Sequence, residues 1–419
     1  MPTRAPRGTL GRVTAPFSFP VIPQLAGEVP DPLGDLFSVL SRGDIISFAG
    51  GIPDASLFEF DDIRASFEFV LAHDERRALQ YGSTEGDPGL RAEAARLVSR
   101  DLPSTAENFL ITTGSQEGIF LTAQVMLRPG DVVLVEEPTY LAAVQAFTLN
   151  GARLVSVPTD DHGVLPDALE RAIAAERPKF AYLIPTFQNP SGKSMLPQRR
   201  RDVAEILVRT GVPLVEDDPY GALRFEGEPA PPIASLPGMG RQSLLLHSLS
   251  KIMAPGVRIG WVRGDGPIMK TLAIAKAAVS LQSSALTQMA VAHYLANCDL
   301  DAHIRRVIDV YRVRRDAMYN GLIERLPSAA HVTHPEGGMF CWVTLGGGID
   351  TRPLLDAAVA RGVAFVPGWA FFAGTPDLST MRLSYVTNSP ATIAEGLDRL
   401  ALTLADAVAA PAPAAAHGR

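Results

Sequence analysis

Four polar clusters fall where apolar runs of the sequence end, and their residue types suit one ligand chemistry. In "HSLSKIMAPGVRIGW" (247–261), Lys251 follows Ser248 and Ser250 and precedes Arg258. A lysine at a strand end, partly desolvated and close to an arginine, has a lowered pKa and can attack an aldehyde to form a Schiff base. The two hydroxyls and Arg258 can hold an anion beside it, with Pro255 and Gly256 turning the chain so that Arg258 returns to the strand end. A surface lysine on a loop leaves those neighbours unexplained. In "VEDDPYG", Asp217 and Asp218 close an apolar strand and Tyr220 lies just beyond Pro219. Carboxylates at a buried strand end are costly unless they meet a cation or a protonated donor.

The other two clusters are less specific when taken alone. "ITTGSQEG" ends a strand at Gly114 and starts a helix at Ser115, where free N–H groups, a hydroxyl and the helix dipole suit a phosphate. An ordinary serine N-cap explains the same residues. "PTFQNPSG" puts Asn189 after the strand "AYLIPT", in a turn shaped by Pro190 and Gly192. Combined, the clusters call for an aldehyde at Lys251, a phosphate at Ser115, Ser248, Ser250 and Arg258, and a basic ring nitrogen at Asp217. Pyridoxal 5′-phosphate carries all three, and a carboxylate facing its pyridinium nitrogen is the expected electronic partner.

The elements that must position these residues are legible from the hydropathy pattern. Short β-branched runs ("NFLITTG", "DVVLVEEPTY", "RLVSVPTD", "FAYLIPT", "VPLVEDD", "QSLLLHSLS", "RIGWVRGD") alternate with helical patterns such as "RRRDVAEILVRTG". That alternation predicts an α/β fold: a large, mostly parallel sheet flanked by helices. Ligands of such sheets collect at the carboxyl ends of strands, where the four clusters lie. After about residue 300 the pattern changes to a long helix from His303, "MFCWVTL", a helix near 353–361, "VAFVPG" and "MRLSYV", which reads as a smaller α+β unit. The expected division is an extended arm at 1–30, an N-terminal part of the small domain at 31–60, a large domain at 61–300, a C-terminal small domain at 301–407 and a disordered Ala/Pro tail at 408–419.

Composition narrows the function classes. The 419 residues are 47% hydrophobic and 20% charged, enough for a substantial core. With 38 basic against 45 acidic residues the net charge is -7, which argues against a nucleic-acid surface. The arginine groups at 199–201 and 305–315 read as solvated helix faces. Cys298 and Cys341 lie far apart without ligand spacing, so neither a disulfide framework nor a metal site is expected, and a cytoplasmic location fits. No apolar run approaches the roughly 20 residues of a membrane span, and the proline-broken N-terminus is unlike a secretory signal.

From "ISFAGGIPD" to "MRLSYV" the sequence resembles the fold-type I pyridoxal-phosphate enzymes of the class I/II aminotransferases. It is most similar to the branch that holds 2-aminoadipate and kynurenine transaminases and the effector domains of MocR-type regulators. The resemblance implies Lys251 as the Schiff-base lysine, Asp217 as the partner of the ring nitrogen, and Asn189 and Tyr220 as partners of the cofactor's phenolic oxygen. Ser115, Gln116, Ser248, Ser250 and Arg258 would bind phosphate, and Tyr140 of "EEPTY" would stack on the ring. Tyr81 of "LQYGSTEG" would reach the phosphate of a neighbouring subunit, which implies a homodimer. Arg382 would grip the substrate α-carboxylate as a bidentate pair, with Asn189 and Gly51 beside it.

The implied reaction moves an amino group between an L-α-amino acid and a 2-oxo acid, through pyridoxamine phosphate, with Lys251 as nucleophile and then proton carrier and with Asp217 and Tyr220 assisting. Two alternatives stay open: a same-fold enzyme that oxidises, eliminates or decarboxylates, and a non-catalytic binding module. The latter normally follows a winged-helix domain, for which the roughly 30 extended residues at the start are too few. In the aminoadipate and kynurenine branch an N-terminal arginine contacts acidic side chains. Counting back from "SFAGG", the comparable position here is Gly34 and the nearest arginine is Arg42. An aromatic, aliphatic or unusual side chain under the apolar arm "PFSFPVIPQLAG" is the expectation.

Overall fold

The computed structural model describes Val21, residues 45–346 and residues 348–409. The arm apart from Val21, Gly34, Arg42 and residues 410–419 lie outside the described residues. A first strand, β1 (Ile46–Ser47), pairs in parallel with the later β12 (Val363–Ala364). The main sheet has eight strands: β2 (Phe109–Thr112), β3 (Val132–Glu137), β4 (Arg153–Asp160), β5 (Gly163–Val164), β6 (Phe180–Leu183), β7 (Leu214–Asp217), β8 (Ser243–Ser248) and β9 (Gly260–Arg263). They lie in the order β2-β9-β8-β7-β6-β3-β4-β5.

The run from β8 through β7, β6 and β3 to β4 is parallel, and antiparallel pairs close the two edges. Strands covered on both faces are buried at every residue, as β2, β6 and β7 are; β2 and β6 are mostly apolar, whereas β7 ends on the buried acids Glu216 and Asp217. Helices at Ser115–Met126, Leu141–Leu149 and Pro267–Val279 cover one face. Those at Pro166–Glu176 and Pro197–Thr210 pack with a second apolar cluster. This is the α/β architecture the alternating pattern predicts.

A separate antiparallel sheet follows, in the order β10-β11-β14-β13, with β10 (His331–Val332), β11 (Phe340–Thr344), β13 (Val366–Pro367) and β14 (Thr380–Ser384). The helices Leu300–Arg325, Thr351–Ala360 and Pro390–Ala409 share its core. The long helix begins three residues before the expected His303, because the Asp299 side chain accepts the Ala302 N–H at 2.9 Å and caps it earlier. The last helix runs to Ala409, into the segment read as tail. No described helix is long and apolar enough to cross a membrane.

The reading of both arginine groups as solvated faces is corrected at two positions. Arg200 is 1% exposed and gives its guanidinium to the carbonyls of Met195, Pro185 and Pro231 and to Thr186 Oγ1. Arg315 is 0% exposed and bonds the Pro335 carbonyl, Glu226 and Asp316. A guanidinium with five donors can satisfy several loop carbonyls at once, so these arginines tie loops down instead of facing water.

Candidate active site

The carboxyl ends of β6, β7 and β8 open onto a cavity of about 410 Å³, and β14 and the segment after β1 close it from the other side. One end is built by the turn from β2 into the Ser115–Met126 helix. Gly114 there has φ 76°, and a Cβ would stand 2.4 Å from Arg258 Nη2. Gly260 on β9 is packed as tightly, since a Cβ would stand 2.7 Å from Ser115 N. Glycine at both positions lets the helix start and Arg258 meet. Arg258 itself has φ 50° after the turn Pro255–Val257, and its Nη2 donates to the Thr113 carbonyl at 3.1 Å. Its Nη1 lies 3.4 Å from Ser250 Oγ, and Ser250 N donates to Ser248 Oγ at 3.1 Å. Gln116 donates to the Ala142 carbonyl at 3.1 Å, and together with Ser115, Ser248, Ser250 and Arg258 it lines the cavity. Helix dipole, hydroxyls and guanidinium therefore converge on one place suited to a dianion.

At the base lies Asp217, 2% exposed, whose Oδ2 accepts a 2.7 Å hydrogen bond from the Tyr182 hydroxyl. Its Oδ1 is buried and has no hydrogen-bond partner among the described residues. Burial raises the Asp217 pKa to about 7, while the Tyr182 hydrogen bond acts in the opposite direction. A cationic ring nitrogen would remove that burial cost.

Lys251, half-buried, donates from Nζ to the Gly51 carbonyl at 2.9 Å. Desolvation, then the positive charges of Arg382 and Arg258, lower its pKa to about 8. Gly51 also leaves room for a neighbour: a Cβ there would sit 2.9 Å from Phe340 Cζ. Tyr140 lines the cavity as the residue preceding the Leu141–Leu149 helix, and burial, then the charge of Asp217, raises its pKa to about 12. Tyr220, raised chiefly by burial, has its hydroxyl 3.4 Å from Asn189 Nδ2.

Arg382 of β14 is 5% exposed, donating through Nη1 to Asn189 Oδ1 and through Nη2 to the Ala49 carbonyl, both at 2.8 Å. The Phe340 and Phe371 rings flank its guanidinium at 4.2 and 5.0 Å. Burial lowers its pKa to about 10, so it stays charged, and its Nε has no partner among the described residues.

The cavity thus gathers every residue assigned a site role from the sequence except Tyr81, which is 77% exposed and lies outside it; Asp218, the second acid of the β7 end, is not part of its lining either. Phe340, Ile184, Ile52 and Pro53 also line it and were not anticipated. Phe340 follows a Gly337-Gly338 pair packed against Phe187, a sign of close backbone approach at a strand start. Tyr182 was missed as well. A tyrosine inside an otherwise apolar, fully buried strand needs a partner for its hydroxyl, and that is the signal that could have found it.

The donor set fits pyridoxal 5′-phosphate: an anion cradle at one end, an orphaned buried carboxylate oxygen at the base, and a lysine of lowered pKa between two arginines. Comparisons with known proteins agree. The chain is 40% identical to aromatic-amino-acid aminotransferase 1 of Thermococcus litoralis, over 90% of this chain and 92% of that one. Among solved structures, the multiple substrate aminotransferase of Thermococcus profundus superposes with a TM-score of 0.88 at 38% identity, covering 93% of this chain and 98% of that one. The α-aminoadipate aminotransferase LysN of Thermus thermophilus, solved in complex with N-(5′-phosphopyridoxyl)-L-leucine, gives a TM-score of 0.85 at 36% identity, covering 91% and 96%. The profile described as aminotransferase class I and II matches residues 44–400, the stretch that holds both sheets and every wall of this cavity, and the chain belongs to that family.

Proposed function

We propose that the cavity is the active site of a pyridoxal-phosphate-dependent aminotransferase in which Lys251 is the amine that bonds the cofactor's aldehyde carbon. The observation that carries this reading is the meeting of Lys251, Asp217 and the Ser115 helix start around one cavity, with Asp217 Oδ1 left without a partner among the described residues. When bound, the cofactor supplies the aldehyde that takes up an amino group and a ring that absorbs carbanion charge.

The chain's own residues do the rest. Ser115, Gln116, Ser248, Ser250 and Arg258 would hold the phosphate. Asp217 would keep the ring nitrogen protonated, a cation that would draw its own pKa back down. Asn189 and Tyr220 would donate to the phenolic oxygen, and Tyr140 would lie against the ring. Lys251, whose pKa burial and the two arginines lower to about 8, would take up the substrate α-proton and pass it on. Arg382, oriented by Asn189 and sandwiched by Phe340 and Phe371, pairs with the substrate α-carboxylate.

The substrates in this reading are an L-α-amino acid of apolar or aromatic side chain and a 2-oxo acid. Ile52, Pro53 and Phe340 supply an apolar wall, and the Lys and Arg residues lining the cavity (Lys251, Arg258 and Arg382) all have other tasks. A panel of amino acids with 2-oxoglutarate and pyruvate tests this, and a clear preference for aminoadipate overturns it. The exposure of Tyr81 (77%) and Leu79 (72%) supports a homodimer in which Tyr81 reaches the partner's phosphate. A large domain at 61–300, a small one made of 31–60 and 301–407, and a cytoplasmic location complete the proposal, supported by the two separate sheets, the β1–β12 pairing and the free cysteines. The deciding experiment adds amino acid anaerobically and measures pyridoxamine phosphate and 2-oxo acid. Equal amounts of both are expected, whereas carbon dioxide, or peroxide once oxygen is admitted to a parallel sample, overturns the assignment.

A further inference from the structure

We propose that Tyr182 is a positioning residue for Asp217: its hydroxyl holds one carboxylate oxygen so that the other is presented to the cofactor's ring nitrogen. This rests on the reading of the cavity given above. Tyr182 is 0% exposed in the centre of β6, and its hydroxyl reaches Asp217 Oδ2 at 2.7 Å. Sheet register brings this about. Tyr182 pairs with Val215 of β7, and Asp217, two residues further on, projects from the same face as Val215. The tyrosine ring is long enough to reach the next residue on that face. Phe147 packs edge-on against the ring at 5.4 Å and 74°, which restricts its rotation.

The division of labour at the carboxylate follows. Oδ2 has a fixed donor, and Oδ1, buried and without a partner among the described residues, lies in a residue that lines the cavity; Tyr182 is not part of that lining. The charged and titratable groups around Asp217 are Tyr182 on β6, Asp218 after β7, and Tyr140 and Tyr220 from the loops. Burial and Asp218 both disfavour the carboxylate form of Asp217, and Tyr182 favours it. Burial and the neighbouring carboxylate keep the Tyr182 phenol protonated, so it remains a donor.

The test is a double-mutant cycle on cofactor affinity, using Tyr182→Phe, Asp217→Asn and the pair. Pyridoxal phosphate is titrated into cofactor-free protein by equilibrium dialysis, and the pH midpoint of the bound cofactor's visible band is recorded. Tyr182→Phe keeps the ring and its contact with Phe147. It should weaken binding roughly tenfold, the size expected for a hydrogen bond to a charged group, and move the midpoint. In the Asp217→Asn background, removing the hydroxyl should cost nothing further.

Additive losses in the double variant overturn the inference, as does Tyr182→Phe binding within about twofold of wild type. If Tyr182→Phe does not fold, 3-fluorotyrosine at position 182 keeps the shape and strengthens the donor. It should move the midpoint the opposite way from a weakened donor, and an unmoved midpoint overturns the inference. If Asp217→Asn itself binds cofactor as wild type does, the reading of the whole cavity fails. If it binds weakly while Tyr182→Phe does not, only the role of Tyr182 fails.

Discussion

Arg382 Nη1 donates to Asn189 Oδ1 over 2.8 Å, across 193 residues of sequence. Asn189 lies in the loop that follows β6 of the main sheet and Arg382 in β14 of the antiparallel sheet, so this hydrogen bond joins the two walls of the cavity. It also fixes the orientation of a guanidinium that has given up its water. Arg382→Lys keeps the charge but loses the planar fork, the Asn189 contact and the stacking between Phe340 and Phe371. A fall of roughly 100-fold in kcat/KM, carried mainly by KM, is expected in steady-state kinetics with the preferred amino acid. An unchanged KM would show that the α-carboxylate is bound elsewhere.

Lys251→Ala removes the amine and leaves the phosphate cradle intact. Turnover should drop by roughly a thousandfold or more, while the circular dichroism spectrum and cofactor binding persist. Transamination near the wild-type rate would remove Lys251 from its assigned role.

Asp217→Asn changes the pH dependence of stability in the cofactor-free protein. The folded-state pKa of Asp217 is raised to about 7 from an ordinary 3.8, so the folded state binds more protons than the unfolded state between those values. Its contribution to stability is therefore present at low pH and is lost as pH rises toward and through about 7. Asn imitates the protonated form. The variant should melt close to wild type at pH 4 and above it at pH 8, as read by differential scanning calorimetry. A melting difference independent of pH would show that Asp217 does not titrate in this range.

Gly114→Ala places a Cβ against the Arg258 guanidinium at a residue with φ 76°. A loss of about 1–2 kcal/mol of stability is expected from the backbone alone. The larger effect should be on cofactor affinity, because Arg258 must move. Denaturant unfolding and equilibrium dialysis separate the two, and unchanged affinity would show that Arg258 does not need its present position.

Much of this molecule is written locally. The parallel core strands are recognisable because burial on both faces requires continuous apolar runs, and Gly211 marks a helix end because it adopts φ 70° there. Ser115, Asn189, Asp217 and the Ser248–Lys251 group were legible because each sits where such a run stops and a polar group must find a use; Arg382, in the middle of β14, and Tyr140 were reached only through the family resemblance. Two sequence readings failed where distance in sequence hides the partner. Arg200 and Arg315 carry the signature of exposed helix residues, and only the fold brings loop carbonyls to them.

Tyr182 and Phe340 belong to the same lesson. Inside an apolar strand each looks like ordinary core, since aromatic burial and site-building use the same residue types. Sequence alone pointed to the chemistry available: a nucleophilic amine, an anion cradle and a carboxylate for a cation, with the family resemblance adding an arginine for a carboxylate. Tertiary structure decided the geometry. Strand register brought Asp217 to Tyr182, and the approach of two sheets set which residue meets Arg382, because such pairings depend on the packing of segments far apart in the chain.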